Sequence, residues 1–132
     1  MATVTVAVLL CSVLGCHDPA RDKMEAMINR AQRQISPGEL QAAVAGVCAT
    51  NSSSDVEIQD LPREIFALSE EKPEDAILIG NEGGKRTLLV SWGGAMSSWG
   101  IGVCPSGGHL DTNIIAHVWR WSDGVFFFSA HE

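Results

Sequence analysis

At 132 residues, with 45% hydrophobic and 19% charged positions, the chain has the size and composition of one globular domain, which excludes both a second independent core and wholesale disorder. The 16 acids against 9 bases leave a net charge of -7 at pH 7, and no segment gathers the bases into a patch. A surface of that kind cannot neutralise several phosphates at once, so nucleic acid is excluded as a partner.

Residues 2–15, ATVTVAVLLCSVLG, carry no charge at all, and CHDPARDK follows abruptly. The run falls short of the roughly 20 apolar residues that cross a bilayer, but it has the length of a signal-peptide core, about 7 to 15 residues. A buried strand is the competing reading, because Thr3, Val4, Thr5, Val6 and Val8 are β-branched and alternate as a pleat requires. No Lys or Arg precedes the run, so the amino terminus is its only positive charge.

Val13-Leu14-Gly15-Cys16 resembles the lipobox of bacterial lipoproteins, in which a branched, a variable and a small residue precede the cysteine that is diacylated. The resemblance covers these four residues and the apolar run before them. It implies that residues 1–15 are a signal peptide, that Cys16 carries a lipid, that 16–132 form a single domain, and that the protein resides at the cell envelope, membrane-anchored or secreted. Cys11 then leaves with the signal and two cysteines remain. Cys48 and Cys104 form either a disulfide, as an oxidising compartment favours, or two buried thiols that act as small hydrophobes.

Asp18 before Pro19 reads as an N-cap followed by proline at the first helical position, where its missing N–H costs nothing. Met24, Met27, Ile28, Ala31 and Ile35 then recur at helical spacing and define one apolar stripe, bounded by Arg21, Glu25, Arg30 and Arg33. Ser36-Pro37-Gly38-Glu39 carries the spacing of a capping box and opens a second helix that runs to about Ala49. Its buried side is Leu40, Ala43, Val44 and Val47, and Gly46 is expected to permit close approach of a neighbour. Residues 51–54 are a polar loop. Val56 and Ile58 alternate briefly, and Asp60-Leu61-Pro62 is placed to cap a short helix that carries Ile65, Phe66 and Leu68.

From residue 76 the period changes to two, which predicts an antiparallel sheet. The expected strands cover 76–80, 85–92, 99–104, 114–121 and 125–130. Asn81-Glu82-Gly83-Gly84 turns the first pair, and Ser122-Asp123-Gly124 turns the last. The fold class is therefore α+β, with two or three N-terminal helices packed on a sheet of four or five antiparallel strands.

The stretch SWGGAMSSWGIGVCPSGG, residues 91–108, concentrates glycine and tryptophan. Alternation places Leu88, Val90 and Trp92 on one face of their strand and Trp99, Ile101 and Val103 on one face of the next. Gly100, Gly102 and Cys104 fall opposite and leave a trough that aromatic side chains can fill. A two-residue turn at Asp123-Gly124 would set Trp121 against Phe126 and Trp119 against Phe128, and place that aromatic face over the trough. The alternative is an exposed rim of Trp92, Gly93, Gly94, Met96 and Trp99 that holds a glycan, a peptide or another envelope protein.

Signals for chemistry are weaker. SSWGIGVCPSG resembles the strand that follows the catalytic histidine in papain-like cell-wall amidases, but Ser97 and Ser98 stand where that histidine lies. Cys48, moreover, falls near a helix end rather than at a helix start, where a nucleophile gains from the dipole. Cys104, His109 and Asp111 are close along the chain and could serve as nucleophile, base and orienting acid. A zinc set of Cys104, His109, His117 and His131 lacks paired spacings. His117 instead shares a face with Trp119 and Trp121, as an edge or half-buried histidine. Gly83-Gly84-Lys85 belongs to a turn between strands and not to a phosphate loop. An apolar start, an amphipathic helix and a late sheet also resemble pilin subunits, but Asp18-Pro19 interrupts the single long helix of that family.

No catalytic residue, metal ligand or cofactor is assigned. The sequence reads as an exported envelope protein held in the membrane by its N-terminal lipid, with a binding or structural role. A cell-wall or glycan hydrolase and a pilin-like subunit are the alternatives.

Overall fold

The computed structural model describes residues 19–51, 53–80, 85–94, 97–108 and 117–131. Cys16 and the segment before it, Asp18, residues 81–84, Met96, His109 and Asp111 lie outside these residues. Helices precede strands and the fold is α+β: α1 (Pro19–Gln34), α2 (Pro37–Thr50) and the one-turn α3 (Arg63–Phe66) are followed by β1 (Asp75–Gly80), β2 (Arg86–Gly93), β3 (Ser97–Val103), β4 (His117–Ser122) and β5 (Val125–His131). The strands form one antiparallel sheet in the order β1-β2-β3-β5-β4.

That order follows from side-chain chemistry. β5 reads Val-Phe-Phe-Phe-Ser-Ala and is buried on both faces, as a central strand requires. β4 alternates His117, Arg120 and Ser122 with its apolar residues and takes the edge.

Helix α1 buries Ala20, Met24, Met27, Ile28 and Ala31, the expected stripe, and lies across β3 and β5. Helix α2 starts with the capping box the sequence indicates: Ser36 Oγ accepts from the Glu39 N–H at 3.2 Å, and the Ser36 N–H donates to Glu39 Oε1 at 3.3 Å. It buries Leu40, Val44 and Val47 over β2 and β3. Gly46 sits on its solvent side with nothing within 4 Å of where a Cβ would stand, so the close approach expected there does not occur. The short helix α3 has Pro62 and not Asp60 at its N-cap, and no side chain caps it. Asp60 belongs to a preceding 3-10 turn, Ile58–Asp60.

The sheet's helix-facing side forms the core with Leu88, Val90, Trp92, Ile101, Val103, Val125 and Phe127. Each such side chain stabilises the fold by about 1.5–3 kcal/mol on burial. The end of α2 is tied to β2 by Arg86, whose guanidinium donates to the carbonyls of Cys48 (3.2 Å), Asn51 and Ser53 (3.2 Å). A cation at this end also suits the negative pole of the helix.

The opposite side of the sheet holds the glycine trough, and aromatic rings fill it as expected. Of the four rings expected there, the two phenylalanines are in place and the two tryptophans are not. Phe126 is paired with Gly102 and Phe128 with Gly100 across the β3–β5 ladder, and they form a second small cluster with Ile79 and Leu89. The predicted partners Trp119 and Trp121 lie on the other face, because the ladder runs Val118–Phe128, Trp119–Phe127, Arg120–Phe126 and then Ser122–Val125. A bulge between Arg120 and Ser122 leaves Trp121 as the extra residue and shifts the register by one. Both indoles then pack on Phe127, with centroids 6.1 Å and 6.0 Å away.

Candidate functional site

The two edges of the sheet are treated differently. Along β1, residues 54–56 run beside the strand: the Val56 N–H donates to Ala76 O at 3.1 Å, the Leu78 N–H to Ser54 O at 2.7 Å, and Asp55 bridges to Ile77. Among the described residues no strand pairs with the outer side of β4. That strand carries both of the large exposed hydrophobics of the described chain, Val118 at 39% and Trp119 at 38%, one on each face. An edge strand with apolar side chains and free backbone groups is a surface disposed to associate.

Trp119 faces the helix side, where β4 extends past the cover of α1. Between them runs an open groove of about 450 Å³, lined by Arg21, Met24, Glu25, Ile28, Asn29 and Gln32 of α1 and by His117, Val118 and Trp119 of β4. Met24 and Ile28 are buried and form its apolar floor, while the amides of Asn29 and Gln32 stand exposed along one wall. Arg21 and Glu25 approach to 3.7 Å across one helical turn, so this end of the groove carries both signs together. Phe127 holds the Trp119 ring from beneath at an interplanar angle of 44°. Directly opposite His117 in the ladder, Ser129 is fully buried and its hydroxyl has no partner among the described residues.

The residues proposed as an aromatic rim are placed otherwise. Trp92 and Trp99 face each other across the β2–β3 ladder on the helix side. Trp92 is completely enclosed, its Nε1–H donating to Glu71 O at 2.9 Å, and Trp99 is only 8% exposed. The Lys23 ammonium lies 5.7 Å above the Trp99 ring while pairing with Glu71 at 2.8 Å. Helix α1 and residues 69–71 thus close over both indoles; among the described residues of the expected rim Gly94 is exposed and Gly93 half-buried. Alternation separates Trp99 from the glycines of β3, but it is the cover by α1 and residues 69–71 that takes both indoles out of solvent.

Cys48 and Cys104 are unbonded. The Cys104 N–H donates to Gly124 O at 2.6 Å, carrying the β3–β5 ladder one residue beyond Val103. Cys104 is buried just past the end of β3, and Cys48 is half-buried on α2. Burial raises the Cys48 thiol above its ordinary pKa; Arg86 beside it opposes the shift, and Cys104 adds a smaller push upward. Such a thiol is poorly suited to act as a nucleophile.

Cys104 is 2% exposed and closed to a substrate in this arrangement. Of the zinc set, Cys104 pairs with one end of β5 and His117 with the other, at Gly124 and Ser129. Five residues of strand separate those positions by about 16 Å, so the two side chains cannot share a metal. The loop after Cys104 is positioned by Gln41, whose Nε2–H groups donate to Cys104 O (3.1 Å) and Asp123 O (2.9 Å), and by Asp123 Oδ1, which accepts from the Gly108 N–H at 3.0 Å. These contacts build a turn, and the shallow cavity beside it is lined by Cys48, Pro105 and Ser106 rather than by Cys104.

Trp119 and the groove were not singled out from sequence. The available signal was the contrast between β4, with a polar residue at every second or third position, and the unbroken apolar run of β5, which marks β4 as the outer strand and its tryptophan as solvent-facing. No family model matches the chain, and no curated protein or solved structure matches it either.

Proposed function

We propose that this protein is exported, is held at the envelope membrane by a lipid on Cys16, and acts there by binding rather than by turnover. The observation that carries the binding role is the concentration of exposed apolar surface on one edge strand: Val118 and Trp119, beside a groove between β4 and α1. The placement rests on the uncharged segment 2–15 and on Val13-Leu14-Gly15-Cys16.

The two parts fit together spatially. The residues between Cys16 and Pro19 reach at most about 10 Å when extended, and the first turns of α1 line the groove with Arg21, Met24 and Glu25. A lipid on Cys16 therefore holds the groove close to the membrane surface, where envelope components are concentrated.

Chemical crosslinking in intact cells tests the role. Specific adducts that include the β4 region, reduced by Trp119→Ala, are expected. Recovery of uncrosslinked monomer across linkers of several lengths would contradict it.

A further inference from the structure

We infer that the groove between α1 and β4 is a glycan site, in which Trp119 stacks on the face of a sugar ring while Asn29 and Gln32 hydrogen-bond its hydroxyls. This deepens the binding role proposed above and rests on it.

Three observations select that ligand. First, the indole of Trp119 is 38% exposed and held at a fixed tilt by Phe127, so it offers a flat, oriented apolar surface. A pyranose ring presents a patch of C–H groups on one face and hydroxyls around its rim, and it matches such a surface. Second, the polar groups around the indole are planar and bifunctional. Asn29 and Gln32, one turn apart on α1, each offer both a donor and an acceptor, which is what a ring of neighbouring hydroxyls requires. Third, the charges in the groove come as a pair, with Arg21 Nε 3.7 Å from Glu25 Oε1. A compensated pair gives no net attraction for a phosphate or a carboxylate and favours a neutral polyhydroxylated ligand.

The size agrees. A groove of about 450 Å³ lies in the range of small-ligand sites, roughly 300–1,000 Å³. The described residues cover only one face of a ligand, which suits a linear chain that enters and leaves along the groove.

An extended peptide is the competing occupant and makes a different prediction. It would pair with the outer backbone edge of β4, in the plane of the sheet, and not with the α1 wall. Variants at Asn29 and Gln32 therefore separate the two.

The test is titration of the full purified chain with N-acetylglucosamine tetramer and with cellohexaose, followed by calorimetry and tryptophan emission. An eight-residue Thr-Val repeat peptide serves as the strand-adding probe. Saturable binding of at least one glycan is expected, weakened tenfold or more by Trp119→Ala, largely restored by Trp119→Phe, and weakened several-fold by Asn29→Ala with Gln32→Ala. Unchanged circular dichroism of these surface variants shows that the fold survives. No saturation by either glycan, or glycan binding indifferent to Trp119→Ala, overturns the inference. Saturation by the peptide alone overturns it in favour of strand addition. Flat glycan titrations alongside persistent crosslinks in cells remove the glycan and leave the binding role, whereas loss of both removes both.

Discussion

Replacing Gly102 by alanine tests the packing of the sheet's outer face. A Cβ at position 102 would stand 2.6 Å and 2.7 Å from Phe126 Cε1 and Cε2, and closer still to Cζ. Carbon atoms rest about 3.5–4.0 Å apart, so the ring must lift by about 1 Å or swing aside. Overpacking of this kind costs about 1–3 kcal/mol, a large share of the stability of a domain this size. The clash is with a side chain, so it can be relieved. Phe126→Leu removes the ring edge, and the double variant should recover about 1–2 kcal/mol of the cost as a coupling term.

Gly100→Ala differs in kind. There the new Cβ meets the carbonyl oxygen of Val90 as well as Phe128 Cζ at 2.7 Å. The backbone of β2 cannot withdraw without opening the β2–β3 ladder, so the cost rises to about 3 kcal/mol or more. Trimming Phe128 should not rescue it. Urea unfolding followed by tryptophan emission, in which the enclosed Trp92 reports on the core, gives the four values needed for each pair. Equal costs at positions 100 and 102, or failure of Phe126→Leu to rescue Gly102→Ala, would refute the register and the filled trough together.

Ser36→Ala removes the acceptor of the Glu39 N–H and should cost about 1 kcal/mol in the same urea assay, with no change of fold. Burial favours the neutral Cys48 thiol in the folded state, so the stability it contributes is complete below the ordinary thiol pKa of about 8.5 and is lost as pH rises through the elevated folded value. Urea midpoints should therefore fall between pH 8 and pH 10, and Cys48→Ala should lessen that fall; an identical slope in the variant would contradict the burial reading. Neither Cys48 nor Cys104 should need a reductant for alkylation, and Cys104 should react only after denaturation; a mass change on reduction alone would contradict the two free thiols.

Much of the fold was readable because its signals are local. Ser36 and Glu39 announce a cap through their spacing, the α1 stripe through its period, and the last hairpin through Asp123-Gly124, where a Cβ on Gly124 would meet Cys104 O and Gln41. What the sequence concealed depended on pairing across the sheet. The bulge at Trp121 has no residue signature, yet it decides that Trp119 and Trp121 face the helices, which leaves Phe126 and Phe128, set opposite Gly102 and Gly100 by the β3–β5 register, to fill the trough without them. The enclosure of Trp92 and Trp99 depended on Glu71, whose carbonyl accepts from the Trp92 indole, and on Lys23, which lies over the Trp99 ring, both from distant parts of the chain. For the same reason the exposed tryptophan turned out to be Trp119, whose strand leads to the sheet's edge only because β5 takes the central place.

The proposed placement at the envelope is tested most directly by the intact mass of the native polypeptide recovered from the membrane fraction of its cells. A chain that begins at Cys16 and carries the added mass of its acyl groups is expected. A polypeptide that retains residues 1–15 with an unmodified Cys16 would contradict export and anchoring at once.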